Sequence, residues 1–474
     1  MKKSNIIMIT FLIGAFFTFL NETLLNIAMT EIMHVFKVDA PTVQWLATGF
    51  MLIMGILMPL SASLIQWFTT RQMFIGLMSI FLVGTLISGL AINFPMILIG
   101  RMIQAAGTGL LIPTIMNAML NLFEPHERGK VMGNFGLVMM FAPAIGPTLS
   151  GVIVDMLGWR WLFFSVVPFV IFSILFAFKY LENVGEVTKP KIDLLSVILS
   201  TIGVAGIIYG FSSVSNTEGG FLNPVVATII IIGLVSLIAF GIRQVRLEVP
   251  LLDLSVFKYA NFARGIFIFV IVVMAMFASE IVMPIYLQGP MGFSAKAAGM
   301  ILLPGALLNG FLSPVMGRIF DKIGPRKMII PGMLLLSLVM IFYSTIHPGI
   351  PMFVFILVYI VLMVSISMIM MPSHTNGINQ LPKHLYPHGT AVGNMMQPIA
   401  GAMGVSIFVS IMTHGQKKAL EGVTPTKQAI NDALTVGVHH AYWFAIVLAV
   451  IGLITAFFIT KSTPPEDENQ HITH

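Results

Sequence analysis

Cysteine is absent from the 474 residues, which excludes disulfide bonds and thiolate metal sites. Charge is scarce too, since Asp, Glu, Lys and Arg together make up 9% of the chain, against roughly 25% in ordinary soluble domains. Hydrophobic residues make up 57%, and the mean hydropathy is +0.95. This composition excludes a soluble globular protein and indicates an integral membrane protein. The net charge of +6 is scattered over short loops, so it indicates no nucleic-acid partner.

Apolar runs of about 20 residues follow one another along the chain, each long enough to cross a hydrocarbon core of roughly 30 Å as a helix. The charged start MKK precedes the first run, but no cleavage site follows it, so we expect this helix to be retained. The sequence predicts an all-α protein with fourteen transmembrane helices, spans 1 to 14, at residues 4–30, 42–66, 72–94, 95–117, 131–154, 161–179, 193–213, 222–242, 264–288, 297–317, 328–346, 350–373, 389–413 and 439–460.

The basic residues orient these spans. With the N-terminus in the cytoplasm, eighteen Lys and Arg lie on the cytoplasmic side and six lie outside, while Arg101 lies within a span. Such an excess is what the positive-inside rule expects. Both termini are therefore predicted to be cytoplasmic.

Two short repeats indicate a duplicated architecture. GKVMGN at 129–134 enters span 5, and GTAVGN at 389–394 enters span 13. LSASLIQWFTTRQMFI after span 2 is echoed by LSPVMGRIFDKIGPRKMII after span 10. These positions predict two six-helix halves related as parallel repeats, with two helices inserted between them. The predicted boundaries are 1–181 for the first half, 182–250 for the inserted helices and 251–474 for the second half with its cytoplasmic tail.

Three charged residues fall well inside spans, namely Glu22 in span 1, Arg101 in span 4 and Glu280 in span 9. Each costs about 2.5–3.5 kcal/mol at a helix centre on the insertion scale, so each is expected to face protein or water. Counted from the outer ends of their spans at about 1.5 Å per residue, all three lie roughly 9–12 Å deep. They are therefore predicted to share one layer.

The neighbours of these charges indicate which helix faces they occupy. Span 1 carries a small or polar residue at every fourth position around Glu22, as expected of a face that lines a cavity. These positions are Thr10, Gly14, Thr18, Glu22, Asn26 and Thr30. In span 4, Arg101, Gln104 and Thr108 also share one face. Glu280 has plainer neighbours in Met276, Met283 and Pro284.

Two interpretations of the charges stay open. Glu22 and Arg101 form an ion pair that locks helices together, or Glu22 exchanges a proton or a cationic substrate with an aqueous cavity. A carboxyl group subject both to burial and to a nearby guanidinium can take up and release a proton, whereas Arg101 does not titrate and suits a tuning role. Glu280 is either a second such carboxylate or a side chain that reaches the outer surface.

Span 5 contains FAPAIGPTLSG at 141–151, in which Pro143, Gly146, Pro147 and Gly151 predict a kinked helix in close contact with a neighbour. This segment is interpreted as a hinge or as ordinary transmembrane use of glycine and proline.

The cytoplasmic loop GRIFDKIGPRK at 317–327 is a candidate latch between spans 10 and 11. Its candidate residues are Gly317, Arg318, Asp321 and Arg326. A solvated loop that follows the positive-inside rule explains the same charges.

The 35 Met and 37 Phe residues offer soft and aromatic surface that can adapt to varied ligands. Most are expected to face lipid or to pack between helices. The predicted substrate-binding residues are Glu22, Asn26, Trp45, Gln104, Met140, Met276 and Glu280.

Five motifs, in this order, resemble those of the major facilitator superfamily and, within it, the fourteen-helix drug:proton antiporters of bacteria. They are LNETLLNIAM in span 1, LIGRMIQAAGTGLLIP at 98–113, APAIGPTLSG in span 5, WRWLFF at 159–164 and GRIFDKIGPRK at 317–327. The resemblance implies a major facilitator fold, alternating access, export of amphipathic drugs and coupling to proton entry, with the span 5 motif associated with antiport.

The chain departs from the family pattern at two places. The usual aspartate of span 1 corresponds to Asn21, and the carboxylate stands one place along at Glu22, about 100° around the helix. The loop after span 2, SLIQWFTTRQ, keeps Arg71 but lacks the usual glycine and aspartate.

The resulting prediction is a multidrug efflux antiporter in the bacterial plasma membrane, driven by the proton gradient without a cofactor. Its partners are small-molecule drugs, protons and membrane lipids, and the two-half design requires only a monomer. Export or flipping of an endogenous lipid or metabolite is the alternative. A membrane-embedded enzyme is more remote, because the sequence shows no cluster of carboxylates or histidines fit for metal or phosphate chemistry.

Overall fold

The computed structural model describes residues 3–123, 125–181, 183, 187, 193–214, 217, 223–247, 250–382 and 385–462. In some helical stretches, among them Met140 and Asp321, the description is of the backbone alone. The described chain is helical and contains no strand. Its α-helices are α1 (Lys3–Phe36), α2 (Ala40–Val43), α3 (Trp45–Leu57), α4 (Ser61–Trp67), α5 (Thr70–Gly89), α6 (Phe94–Leu122), α7 (Pro125–Leu157), α8 (Trp161–Phe164), α9 (Val167–Tyr180), α10 (Leu194–Ser213), α11 (Pro224–Arg246), α12 (Ala260–Gln288), α13 (Ala295–Ile323), α14 (Arg326–Tyr343), α15 (Met352–Ile378), α16 (Tyr386–Leu420) and α17 (Lys427–Phe457).

The predicted all-α membrane architecture is confirmed. Among the described residues, thirteen segments are long and apolar enough to span a membrane, and Phe141–Leu157 in α7 adds a shorter apolar stretch. The predicted span 2 is interrupted, because Met58–Leu60 forms a 3-10 turn around Pro59 between α3 and α4. Proline supplies no backbone N–H for a helical hydrogen bond, which accounts for the break.

Capping side chains fix where several helices begin. Asn93 accepts a hydrogen bond from the backbone N–H of Met96 at 3.0 Å, and α6 starts at the next residue. Thr426 accepts one from Ala429 at 3.2 Å ahead of α17. Such caps satisfy backbone N–H groups that have no partner within the helix. Helix ends near the membrane surface are thereby defined by sequence.

The first six spans meet the last six along two helix pairs. Helix α7 packs along α13, and α3 packs along α16, while α1 and α12 lie between these pairs. The inserted helices α10 and α11 pack on each other, and α10 also contacts α3 and α16. Hydroxyl groups join these three helices, since Ser406 is within hydrogen-bond distance of Ser212 and lies 3.4 Å from Thr48. Helix α10 therefore covers one line of contact between the two sets of spans.

An ion pair ties the inserted helices together at one end. Asp193 lies just before α10, outside the span Leu194–Ser213, and accepts hydrogen bonds from Arg243 Nε at 2.7 Å and Nη2 at 2.8 Å. These charge-assisted bonds lower the pKa of Asp193 to about 2. Ser196 also donates to Asp193 and accepts a bond from Gln244 at 2.7 Å. Helices α10 and α11 thus act as one packed pair.

Candidate functional site

A small cavity lies between the first six and the last six spans. Helices α1, α3, α6 and α12 supply its walls. Its lining includes all three charges predicted to share a layer, Glu22, Arg101 and Glu280. The remaining lining residues are Thr23, Asn26, Ala47, Phe50, Met51, Phe277 and Ile281. Two carboxylates and one guanidinium therefore face a partly apolar cavity within the membrane-spanning region.

Arg101 is 2% exposed and is held by neutral acceptors. Its Nη1 donates to Asn21 Oδ1 at 3.1 Å and to Gln104 Oε1 at 3.0 Å, and its Nε lies 3.5 Å from the carbonyl oxygen of Leu46. The guanidinium carbon lies 4.2 Å from the centre of the Phe50 ring, a cation–π contact. The amide and ring contacts orient the charge without cancelling it.

Gln104 supports this arrangement from the neighbouring turn of α6. Its side chain is fully buried, accepts from Arg101 and donates from Nε2 to Thr85 Oγ1 on α5 at 2.7 Å. Close backbone packing of α5 on α6 makes this reach possible, because a Cβ on Gly84 would lie 2.5 Å from the carbonyl oxygen of Gly100. Gln104 therefore positions Arg101 and is not among the residues that line the cavity.

The two carboxylates are less constrained than the arginine. Both Glu22 and Glu280 are partly buried, and Glu280 Oε2 accepts a hydrogen bond of 3.4 Å from Asn26 Nδ2. That bond runs from α1 to α12 and so crosses between the two sets of spans. Within the described part of the chain, no Glu22 oxygen lies within 4.0 Å of a side-chain nitrogen of Arg101. The locked ion pair of the first interpretation is therefore not formed in this conformation.

The glycine- and proline-rich segment of α7 makes the close contacts expected of it. A Cβ on Gly146 would lie 2.1 Å from Thr23 Oγ1 on α1, and one on Gly151 would lie 2.5 Å from the carbonyl oxygen of Ala295. Opposite Pro147, a Cβ on Gly299 of α13 would lie 2.5 Å from the proline carbonyl oxygen. Glycine is required at these positions because a side chain would strike a neighbouring helix. Pro143 is half-buried within the same helix.

Two hydrogen bonds strengthen the contact between α7 and α13 at the predicted outer side. Thr148 Oγ1 donates to the carbonyl oxygen of Gly299 at 3.0 Å, and the backbone N–H of Lys296 donates to Asp155 Oδ2 at 3.1 Å. We refer to Pro147, Thr148, Gly151, Ala295 and Gly299 as the α7–α13 contact. It joins the first six spans to the last six.

Other predicted site residues lie elsewhere. The Trp45 ring packs on Tyr209 of the inserted helix α10, with centroids 5.6 Å apart, and does not line the cavity. Met276 is half-buried against the hydrophobic core one turn from Glu280. The side chain of Met140 lies outside the described part of the structure.

The candidate latch is open around its glycine. Outside the local helix backbone, no described atom lies within 4 Å of a Cβ built on Gly317, and Arg318 and Arg326 are exposed. The side chain of Asp321 lies outside the description. In this conformation the described latch residues are solvated, so their predicted conformational role stays a prediction.

Sequence reasoning missed the apolar half of the cavity, which Phe50, Met51, Phe277 and Ile281 provide. Phe277 lies three residues before Glu280 and shares its helix face, so a search of that face finds it. Ile281 directly follows Glu280 and lies on a different face. Phe50 and Met51 carry no comparable signal, because span 2 contains no charged residue that would mark the face they share.

Comparison with known proteins supports the same architecture. The model of the Major Facilitator Superfamily matches residues 11–405. A bacterial homologue of the human lysosomal transporter Spinster has the same fold, with a TM-score of 0.71, 12% sequence identity and coverage of 96% of both chains.

Two curated relatives align over nearly the whole chain. The lincomycin resistance protein LmrB of Bacillus subtilis is 47% identical over 96% of this chain and 95% of its own. Its counterpart in Listeria monocytogenes is 44% identical over 96% of this chain and 97% of its own. These matches confirm the predicted fold and exclude the enzyme alternative. The chain is a multi-pass membrane transporter and belongs to the major facilitator superfamily.

Proposed function

We propose that this transporter exports amphipathic drugs, lincosamides among them, in exchange for protons. It acts by alternating access as a monomer in the bacterial plasma membrane, with both termini in the cytoplasm. The observation that carries the proposal is the cavity in which Glu22, Glu280 and Arg101 stand beside Phe50 and Phe277.

The cavity chemistry suits a partly apolar and partly cationic ligand. Phe50, Met51 and Phe277 offer aromatic and thioether surface, and the carboxylates of Glu22 and Glu280 attract a positive charge. A proton and a cationic drug then compete for the same oxygens. Release of the drug on one side of the membrane is favoured when a proton takes its place.

Glu22 and Glu280 are the proposed proton carriers, and Arg101 tunes them. Arg101 remains charged and is fixed by neutral acceptors. Its electric field therefore acts on both carboxylates, although the guanidinium is bonded to the amides of Asn21 and Gln104 instead. The Asn26 bond to Glu280 links the two sets of spans at this level. Binding of a proton or a cationic drug to Glu280 therefore affects a contact that alternating access has to rearrange.

The energy of one proton is sufficient for such work. One charge moved through 100 mV contributes about 2.3 kcal/mol, and one pH unit adds about 1.4 kcal/mol. Together they sustain a gradient of roughly several hundredfold for a neutral drug. Two carboxylates allow more than one proton per cycle.

The relatives support the drug class. Two proteins named for lincomycin resistance align with this chain over nearly its full length, and their identity is high enough for the cavity to be shared. The alternative, export of an endogenous lipid or metabolite, has no observation in its favour here and becomes an outcome of the test.

The experiment measures proton release from everted vesicles when lincomycin or ethidium is added. We expect drug-dependent proton movement in the wild type, and we expect Glu22→Gln to abolish it at unchanged protein level. Glu280→Gln separates coupling from cation selection when an uncharged amphipathic drug is added as a third probe, since a pure selectivity role weakens the response to cationic ethidium and leaves the response to the uncharged drug intact. Glu421→Gln is the matched control because Glu421 is exposed and lies outside the cavity.

Absence of proton movement in the wild type with every drug tested would overturn drug:proton antiport. Lipid or metabolite export would then be pursued with the same vesicles. Loss of movement in Glu421→Gln as well as Glu22→Gln would indicate a general defect and would remove Glu22 from its proposed role.

A further inference from the structure

A row of contacts aligns α3 with α16 in an antiparallel register. Gly55 packs against Ile399, and Met51 packs against Gly401 one turn further out. Another turn outward, Thr48 Oγ1 lies 3.4 Å from Ser406 Oγ. One more turn in the same direction brings Gln44 opposite Ser410, and α2 contacts α16 at that level.

Among the mostly apolar residues beyond Thr48 and Ser406, three polar side chains are buried without a hydrogen-bond partner in the described part of the chain. Gln44 is fully buried, and neither its Nε2 nor its Oε1 has a hydrogen-bond partner among the described residues. Ser410 and Thr413 are 6% and 5% exposed, and within the same described part of the chain their hydroxyl oxygens also lack partners. We refer to Gln44, Ser410 and Thr413 as the outer seam. It joins α2 of the first six spans to α16 of the last six.

Burying such groups unpaired costs free energy, because each has lost its water without gaining a protein partner. The three side chains carry no net charge, and together they offer an amide and two hydroxyls that donate and accept. They match a hydroxyl, an amide or water better than an ion. The outer seam therefore differs in chemistry from the carboxylate cavity deeper in the membrane.

We propose that the outer seam is a second binding site, which opens to the outside and takes uncharged hydrogen-bonding groups, either those of a departing substrate or water. Ser406, Ser410 and Thr413 fall on one face of α16, so parting of α16 from α2 exposes Ser410 and Thr413 together with Gln44. Substrate selection at this site acts on hydroxyl and amide groups, whereas the cavity acts on cations. The proposal rests on the proposed export function for the identity of the substrate.

The lack of cysteine makes the test direct. Ser410→Cys and Thr413→Cys each introduce a single thiol, and a membrane-impermeant maleimide is added to intact cells. Met412→Cys is the matched control, because Met412 is fully buried in the hydrophobic core on another face of α16. Labelling is repeated with lincomycin, which carries hydroxyls and an amide, and with tetraphenylphosphonium, which carries no hydrogen-bonding group.

We expect both reporter thiols to react at least about tenfold faster than the control, and we expect lincomycin alone to slow them. Rapid labelling that lincomycin leaves unchanged supports the site with water as its occupant. Reporter rates equal to the Met412→Cys rate would overturn the proposal. Equal slowing by both compounds would also overturn it, because hydrogen bonding would then play no part.

Labelling does not depend on proton coupling. If the vesicles show no drug-driven proton movement while Ser410→Cys still reacts from outside, the proposed antiport fails and the site stands with water as its occupant. If antiport holds while the thiols do not react, the outer seam fails alone. The two proposals are therefore separately testable.

Discussion

Gly299→Ala tests whether the α7–α13 contact holds the outer side of the transporter closed. A Cβ at Gly299 would lie 2.5 Å from the carbonyl oxygen of Pro147 and 3.1 Å from the Cα of Thr148. Both obstacles are backbone, so no side-chain rotation relieves them. Within α5, a Cβ on the exposed Gly76 would meet no described atom of another element within 4 Å, which makes Gly76→Ala the matched control.

The magnitude follows from the clash. Overpacking of a close contact costs about 1–3 kcal/mol. In the proposed alternating-access cycle this cost falls on the outer-closed state alone, because the two helices would separate when the predicted outer side opens. Every 1.4 kcal/mol changes an equilibrium ratio tenfold, so the ratio of outer-open to outer-closed molecules is expected to rise by a factor of about 5 to about 150. Both substitutions gain the same helix propensity of about 0.5–1 kcal/mol, so this effect cancels in the comparison.

The assay is a distance measurement between two spin labels at the outer ends of α7 and α13. Met156 is 75% exposed and Met300 is 49% exposed, so Met156→Cys and Met300→Cys accept labels with little disturbance. No other thiol competes, because the chain has no cysteine. We expect Gly299→Ala to move population from the shorter to the longer distance, and Gly76→Ala to match the parent.

A distance distribution for Gly299→Ala that superimposes on that of Gly76→Ala would refute the reasoning. The close approach at Gly299 would then be absorbed without separating the helices, and the α7–α13 contact would not control the outer side.

Three further predictions follow from the site and its supports. Arg101→Lys retains the charge but loses the planar guanidinium, whose Nη1 donates to both Asn21 and Gln104, so we expect at least about a tenfold loss of drug-driven proton movement in vesicles at normal protein level. Thr85→Val leaves the buried Gln104 amide without its acceptor, so the melting temperature in detergent should fall by the equivalent of about 1–3 kcal/mol, whereas exposed Thr345→Val should leave it unchanged. Asp193→Asn removes a pair whose stabilisation exists above the ordinary pKa of 3.8 and disappears as pH falls through about 2, so the pH profile of transport in the neutral range should match wild type.

Hydropathy was sufficient to predict the transmembrane helices, whereas the fold itself was predicted from the repeats and the family motifs. Every predicted span corresponds to a helix or an interrupted helix, because lipid leaves the backbone no other way to satisfy its hydrogen bonds. Local breaks are harder to predict, since proline is common in membrane helices and Pro59 differs from Pro113 only in context. Pro59 lies in a 3-10 turn, whereas Pro113 lies within continuous α6. The predicted boundaries of the two halves remain a prediction.

The site was predictable where burial of charge is costly. Glu22, Arg101 and Glu280 stand out because few charges enter spans, and the structure brings all three to one cavity. Trp45 shows the limit of this reasoning, since its ring lies against Tyr209 on the inserted helix α10. The position of α10 depends on contacts between distant segments, and neither periodicity nor composition encodes them.

The displacement of the carboxylate from position 21 to position 22 has a structural explanation. Asn21 accepts a hydrogen bond from Arg101 at 3.1 Å, where a carboxylate would instead form a direct ion pair. In a pair of that kind, the proton-binding oxygen of the carboxylate is held against the guanidinium. The positive charge of Arg101 is then neutralised by that one carboxylate. The amide leaves Arg101 oriented but uncancelled, and Glu22 lines the cavity without an ion-pair partner among the described residues. The proposed exchange of proton for drug needs such a carboxylate, because the same oxygens have to be free for either ligand in turn.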